Sequence, residues 1–355
     1  MSLETEVVII GAGLSGLTAA YALRKAGLTV KILESRDRYG GRIHTLGYEN
    51  NTPVEMGATW LGVQHQTLIK LLKALDIDTF EQVIGDKAIY EAISTSPHYL
   101  ATLPPNPEPS LRIKRGTYSL IDKLVTKIES ENIFLNQRVQ EVRKNDKSIL
   151  VKTNTLEVHA DKVIVTLPPN LLVNSIRFLP VLPSALVSLA EKTHTWMGES
   201  IKIALRYDRP FWRTDKLSGT IISNVGPIPE MYDHSNVEDS SYALMGFLNG
   251  SYHNLSKANR LNLILTQLRK YFGSHVDNYS EYCEEVWRNE ADTFRPYKHH
   301  VLPHQNNGHA IFNDSYYDDR LILAGTETSK VFPGYMEGAV CSGLVAAQKI
   351  TQSSL

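Results

Sequence analysis

Cysteine is scarce in this chain: its 355 residues contain two, Cys283 and Cys341. They lie far apart and form no CxxC pair or metal-ligand spacing. That excludes a disulfide-stapled scaffold and fits a reducing compartment. No apolar run reaches the ~18 residues of a membrane span. Charge of one sign is not in excess either, with 37 Lys and Arg against 38 Asp and Glu, a formal net charge of −1. No broad basic field is therefore present for nucleic acid or an anionic membrane. The opening Met1-Ser2-Leu3-Glu4-Thr5-Glu6 is acidic and runs into a strand-like segment, unlike a secretory signal. Internal repeats and low-complexity tracts are missing. The expectation is a soluble, cytoplasmic protein without nucleic-acid or membrane partners and of unreadable oligomeric state.

At this length two domains are the natural organisation. The apolar run Val7–Ile10 reads as a strand buried on both faces. Leu14 to Ala26 has helical spacing and stops before Gly27, a suitable C-cap. Thr29–Leu33 is the next strand, with Glu34 at its carboxyl end. Together they predict a parallel βαβ unit. Within it, Gly11 permits the tight turn and Gly13 lets backbone N–H groups approach a pyrophosphate. Gly16 lets the helix pack closely on the strand. Glu34 is placed to accept hydrogen bonds from ribose hydroxyls, and an acid there disfavours a 2′-phosphate. The unit alone does not separate NAD from FAD.

Further along, residues 67–75 predict an amphipathic helix. Residues 97–109 carry five prolines and read as an irregular surface segment that crosses between domains. Several β-like runs fill 133–166, and a strand over Ser200–Arg206 precedes a helix at about 257–272. The last strand, Arg320–Ala324, leads through Gly325 to a terminal helix from about Gly338 to Ile350.

Four further blocks carry the identification of a family. They are Glu34-Ser-Arg36-Asp-Arg-Tyr-Gly40-Gly41-Arg42, Glu55-Met-Gly57-Ala58-Thr59-Trp60, Gly325-Thr-Glu327 and Gly334-Tyr-Met-Glu-Gly-Ala339. With the glycine turn they occur in family order, and the chain resembles the flavin-containing amine oxidases nearly end to end. The resemblance implies a mixed α/β and α+β protein. A Rossmann-like FAD-binding domain would comprise 1–78, 112–183 and 289–355. A discontinuous sheet-plus-helix substrate domain would comprise 79–111 and 184–288.

The same resemblance places Gly11, Gly13, Gly16 and Glu34 at the ADP part, with Arg42 by the pyrophosphate and Val139 at the adenine through its backbone; Arg36, Gly41 and Gly325 would be further cofactor-binding positions. Gly57, Ala58, Thr59 and Trp60 would run past the flavin ring. Glu327 would lie near the ribityl–phosphate region, and the Met336 N–H at the pyrimidine edge. A helix N-terminus there suits the negative charge of reduced flavin. Pro296 stands where monoamine oxidases have the cysteine that bonds the flavin, which implies non-covalent FAD. The first substrate-domain insertion is also shorter, about residues 79–111.

On alternation alone Lys202 shares a face with Ala204 and Arg206, opposite Ile201, Ile203 and Leu205, and reads as solvated. The resemblance instead makes it the lysine that holds a water against flavin N5. It also makes Tyr297 and Tyr335 the two rings that flank the amine, their π faces suited to an alkyl amine or its cation. The implied reaction oxidises an amine to an imine, which water hydrolyses, while O2 takes the electrons as H2O2. Two alternatives stay open: a flavin-dependent dehydrogenase or desaturase of a non-amine substrate, and a non-catalytic flavin-bound interaction protein. His299, His300, His304 and His309 lack the spacing of a metal site, and no metal is expected.

Overall fold

The computed structural model describes residues 2–50, 52–104 and 106–352. The apolar run at the N-terminus forms the strand Ser2–Ile10, flanked in parallel by Val30–Leu33 and by the long strand Glu157–Val165. These belong to a nine-stranded sheet. One edge of Glu157–Val165 is shared: its first half pairs antiparallel with Ile149–Thr153, and its last residues pair parallel with Leu321–Leu323. The C-terminal part of the chain thereby enters the same sheet as its first residues.

Burial on both sides explains why the central runs of this sheet, residues 7–10 and 163–165, are apolar throughout. Val7, Ile9, Ile32, Ile164 and Ile322 pack under the helices Leu14–Lys25, Gln66–Ala74, Tyr118–Ile128 and Met336–Gln352. Val8, Ile10, Leu33, Val163 and Val165 face a second core that includes Val142, Val151, Leu172 and Phe312. The predicted βαβ unit is present, and the terminal helix begins at Met336, a little before the expected start.

A separate seven-stranded sheet runs Glu281–Val286, Ile201–Tyr207, Tyr242–Leu248, Glu230–Asp233, Ile221–Ser223, Lys87–Glu91 and Tyr99–Thr102. Its Ile201, Ile203 and Leu205 pack on the helix Lys257–Phe272 through Ile264, Leu265 and Leu268. The opposite face meets the first half of the protein, where Ala204, Ala243, Met245 and Cys283 pack on Val54 and Met56.

Two expectations need correction. The proline-rich segment 97–109 is not wholly irregular, because Tyr99–Thr102 forms a strand. Pro97 and Pro104 flank it, and it occupies the sheet edge, where a missing N–H is tolerated; Pro105 lies outside the described residues. The helix Ser184–Glu191 was expected with the substrate domain, yet its Leu186 and Ala190 pack in the second core of the large sheet.

Candidate active site

The site begins at the turn between the first strand and first helix. Gly11 has φ +104°, and a Cβ there would meet Thr166 Oγ1 at 2.5 Å. At Gly16 a Cβ would meet the Gly11 carbonyl oxygen at 2.1 Å, so helix and strand approach only because both residues lack side chains. No side chain caps the helix that starts at Leu14. Its leading N–H groups open onto a cavity of about 410 Å³ lined by Gly11, Gly13, Leu14 and Ser15. Uncapped N–H groups at a helix N-terminus form a site for phosphate. The donor set and the glycine cradle fit a dinucleotide.

Glu34 is buried at this end, where its Oε2 accepts the Ala12 N–H at 2.8 Å and its Oε1 the Arg36 N–H at 3.0 Å. The Arg36 guanidinium turns to Glu290 and to Thr293 Oγ1, at 3.2 and 2.6 Å. Arg36, Gly41, Arg42, Gly57, Ala58, Thr59, Trp60, Val139, Gly325 and Met336 all line the same cavity, as do Lys202 and Tyr335. One continuous space therefore joins segments from both ends and the middle of the chain.

Three expected residues do not face it. Gly16 lies behind the turn, for the packing reason above. Glu327 is fully buried and paired with Arg42, at 2.6 Å from Nη1 to Oε1 and 2.8 Å from Nη2 to Oε2. The same carboxylate accepts the Trp196 N–H at 3.2 Å, while Arg42 donates to the Trp196 carbonyl at 3.0 Å. Glu327 thus holds Arg42 and the 196 loop instead of reaching the cavity itself.

Tyr297 is the third. Its hydroxyl accepts the Thr195 N–H at 2.7 Å, and its ring lies against His194 and Phe294. Among the described residues the rings near Tyr335 are instead Trp196 at 5.7 Å, His304 at 6.2 Å and His65 at 6.0 Å. The physical reason is local, since Tyr297 is held by the backbone of the loop that presents Trp196. Sequence reading missed Trp196 and His304, which stack on each other at 4.0 Å. Trp196, beside Gly198 and just before the Lys202 strand, was the available signal.

Lys202 is 2% exposed, not solvated. Its Nζ donates to the Gly57 carbonyl at 2.5 Å and to Thr59 Oγ1. It also sits over the rings of Trp60 and Phe247, at 5.4 and 5.6 Å. Its strand face is covered by the segment 54–61, which alternation within the strand cannot reveal. Burial lowers its pKa to about 7, against a raising effect of Glu55. The neighbouring Glu55 is pushed up, and Arg112 down to about 10, chiefly by burial. A lysine held near neutrality in a cavity has the properties of a group that works with protons or charge.

Comparison with known proteins gives the site its context. The family of flavin containing amine oxidoreductases matches residues 14–112 and 105–351. The chain belongs to that family. The probable flavin-containing monoamine oxidase A of Dictyostelium discoideum is 25% identical, with 100% of this chain and 99% of the relative covered. Amine oxidase [flavin-containing] B of Sus scrofa is also 25% identical, covering 99% of this chain and 86% of the relative. The first alignment runs over 459 positions against 355 residues here, so the relative contains segments this chain lacks. Among solved structures, putrescine oxidase bound to putrescine superposes with a TM-score of 0.86 at 23% identity over 99% of this chain and 100% of that one. Cyclohexylamine oxidase from Brevibacterium oxydans gives 0.85 at 20% identity over 99% of each chain. These two share the fold.

The protein is an FAD-dependent amine oxidase. Cys283 is buried and Cys341 half-buried, and neither is among the residues lining the cavity. Neither cysteine is therefore placed to tether a flavin in the cavity. Among the described residues no helix is long and apolar enough to cross a membrane.

Proposed function

We propose that this oxidase acts on a small amine bound between Lys202 and Tyr335, with O2 as acceptor and a cytoplasmic location. The FAD would lie along the cavity with its ADP part at Gly11, Gly13 and Glu34 and its ring near Gly57–Trp60. Bound there, FAD supplies two-electron oxidation of the amine to an imine, and the electrons leave to O2 as H2O2. The observation that carries this reading is Lys202, buried in the same cavity as the glycine turn and fixed by Gly57 and Thr59.

The chain's own residues would contribute binding, orientation and charge. Leu14 and Ser15 present N–H groups to phosphate, and Arg42, held by Glu327, adds a cation beside them. Trp60, Phe247, Trp196 and Tyr335 provide apolar and π surfaces that exclude water from the amine. Lys202 Nζ can hold a water, and its positive charge would favour electron transfer to O2. Tyr297 would act as a positioning residue through the Thr195 backbone.

We also propose the two-domain division, with 1–78, 112–191 and 289–355 around the large sheet and 79–111 and 192–288 around the second. The shift to 191 follows the packing of Ser184–Glu191.

Purified protein should be yellow and should release peroxide with at least one member of a panel of primary, secondary and polyamine substrates and amino acids. A flavin-loaded protein that neither turns over nor undergoes anaerobic reduction with any of them overturns this reading.

A further inference from the structure

Within the seven-stranded sheet, Lys202 pairs with Phe247, and Phe247 pairs with Glu230 on the next strand. Residues paired directly across an antiparallel sheet share a face. Lys202, Phe247 and Glu230 therefore form one row on the face turned toward the cavity, and all three line it. Strand spacing puts Lys202 and Glu230 roughly 10 Å apart between Cα atoms, with the Phe247 ring between them.

The cavity carboxylates differ in what satisfies them. Glu34 accepts two backbone N–H groups, and Asp292 pairs with Arg138 at 2.6 Å. Glu230 accepts only the Tyr232 hydroxyl, at 2.9 Å on Oε2, and among the described residues it has no ion-pair partner. Tyr232 packs edge-on against Trp60 at 5.3 Å, and Trp60 lies 6.3 Å from Phe247. A half-buried carboxylate thus stands at the end of an aromatic floor that begins at Lys202. Among the described residues its Oε1 accepts no hydrogen bond and pairs with no cation, although its charge is felt at Lys202.

We propose that Glu230 is the anchor for a second cationic group on the substrate. The preferred substrates are then diamines or polyamines whose charges are separated by an alkyl chain. The reacting amine sits by Lys202, the methylenes cross Phe247 and Trp60, and the distal ammonium meets Glu230 Oε1. The spacing suits a chain of roughly four to six carbons between nitrogens. This substrate class rests on the amine-oxidase reading, whereas the anchor itself concerns binding alone.

The test uses holoenzyme and matched pairs, butylamine with putrescine and hexylamine with hexamethylenediamine. Wild type should favour the diamine of each pair. In Glu230→Gln the ratio of diamine to monoamine kcat/KM should fall about tenfold to a hundredfold, chiefly through KM, as expected for loss of a charge-assisted bond. Glu230→Asp should recover part of it. A purely structural role would lower both members of a pair alike, and an unchanged ratio in Glu230→Gln overturns the proposal.

Binding is read separately from the perturbation of the bound flavin's absorbance by the diguanidine analogue of putrescine, a dication without a free amine. Affinity that depends on Glu230 without amine turnover would count against oxidation and not against the anchor. Equal affinity in wild type and Glu230→Gln would count against the anchor.

Discussion

The Ser15 and Ser342 hydroxyls meet at 2.9 Å, and both accept the Gly325 N–H, at 3.1 and 3.2 Å. Three segments remote in sequence are thus joined at the wall of the cavity: the first helix, the turn after the last strand, and the terminal helix. The two helices approach closely beside them, since a Cβ on Gly343 would meet the Ser15 carbonyl oxygen at 2.4 Å.

Gly343→Val should force these helices apart and cost about 2–3 kcal/mol, with weaker retention of FAD. Ser342→Ala removes one hydroxyl and should cost about 1 kcal/mol. Urea unfolding of the holoenzyme, together with the flavin-to-protein absorbance ratio, measures both. Unchanged stability in Gly343→Val would mean that the helices do not need their close contact.

Arg42→Met should destabilise by about 3–5 kcal/mol, because it leaves the buried Glu327 carboxylate without its cation. Adding Glu327→Gln to that variant should recover part of the loss, since the stranded charge is gone. A double-mutant cycle in chemical denaturation gives the coupling. Two strictly additive single effects would contradict the pairing.

Lys202 has a pKa lowered from 10.5 to about 7, so its buried cation opposes folding below about pH 7. That penalty is relieved as pH rises from about 7 toward the unfolded value, where the unfolded chain binds the extra proton. Lys202→Met should therefore raise Tm by a few degrees at pH 6, and the gap should narrow by pH 9. The same variant should slow turnover and lose an inflection near pH 7 in the rate of oxygen consumption. A pH profile identical to wild type would remove Lys202 from the working site.

Glu337 belongs to the Gly-Tyr-Met-Glu-Gly block but points away from the cavity. Its Oε1 accepts the Thr67 N–H at 2.9 Å and its Oε2 the Leu68 N–H at 2.6 Å, which caps the helix Gln66–Ala74. Glu337→Ala should cost about 1–2 kcal/mol and speed amide exchange at Thr67 and Leu68. Slow exchange in that variant would show that another group caps the helix.

The glycine turn, the βαβ unit and Glu34 were legible because they depend on local rules. A turn with positive φ at Gly11 and a helix packed against strand at Gly16 leave no room for a Cβ, so the chain itself records them. The terminal helix was legible for the same reason, although its first turn was missed. Glu337 was not, because capping a helix some 270 positions away leaves no trace in local spacing. Tyr297 was misplaced because a matched position does not say which way a ring turns. Its hydroxyl is held by the Thr195 backbone, and the ring beside Tyr335 belongs to Trp196.

Lys202 and Glu230 mark the boundary most sharply. Alternation correctly put Lys202 opposite Ile201 and Ile203, but which face of a strand is wet depends on what packs against it. Here the segment 54–61 covers that face, so the lysine loses water and its pKa falls. Glu230 gave no signal at all, since its place beside Phe247 exists only through strand register. The glycine turn, the acid after the second strand and the strand that bears the lysine could be read from the chain alone, because backbone sterics and side-chain periodicity act locally. Tertiary structure decided which charges are buried, which stay unpaired and which rings meet, because desolvation and pairing depend on neighbours the chain supplies from far away.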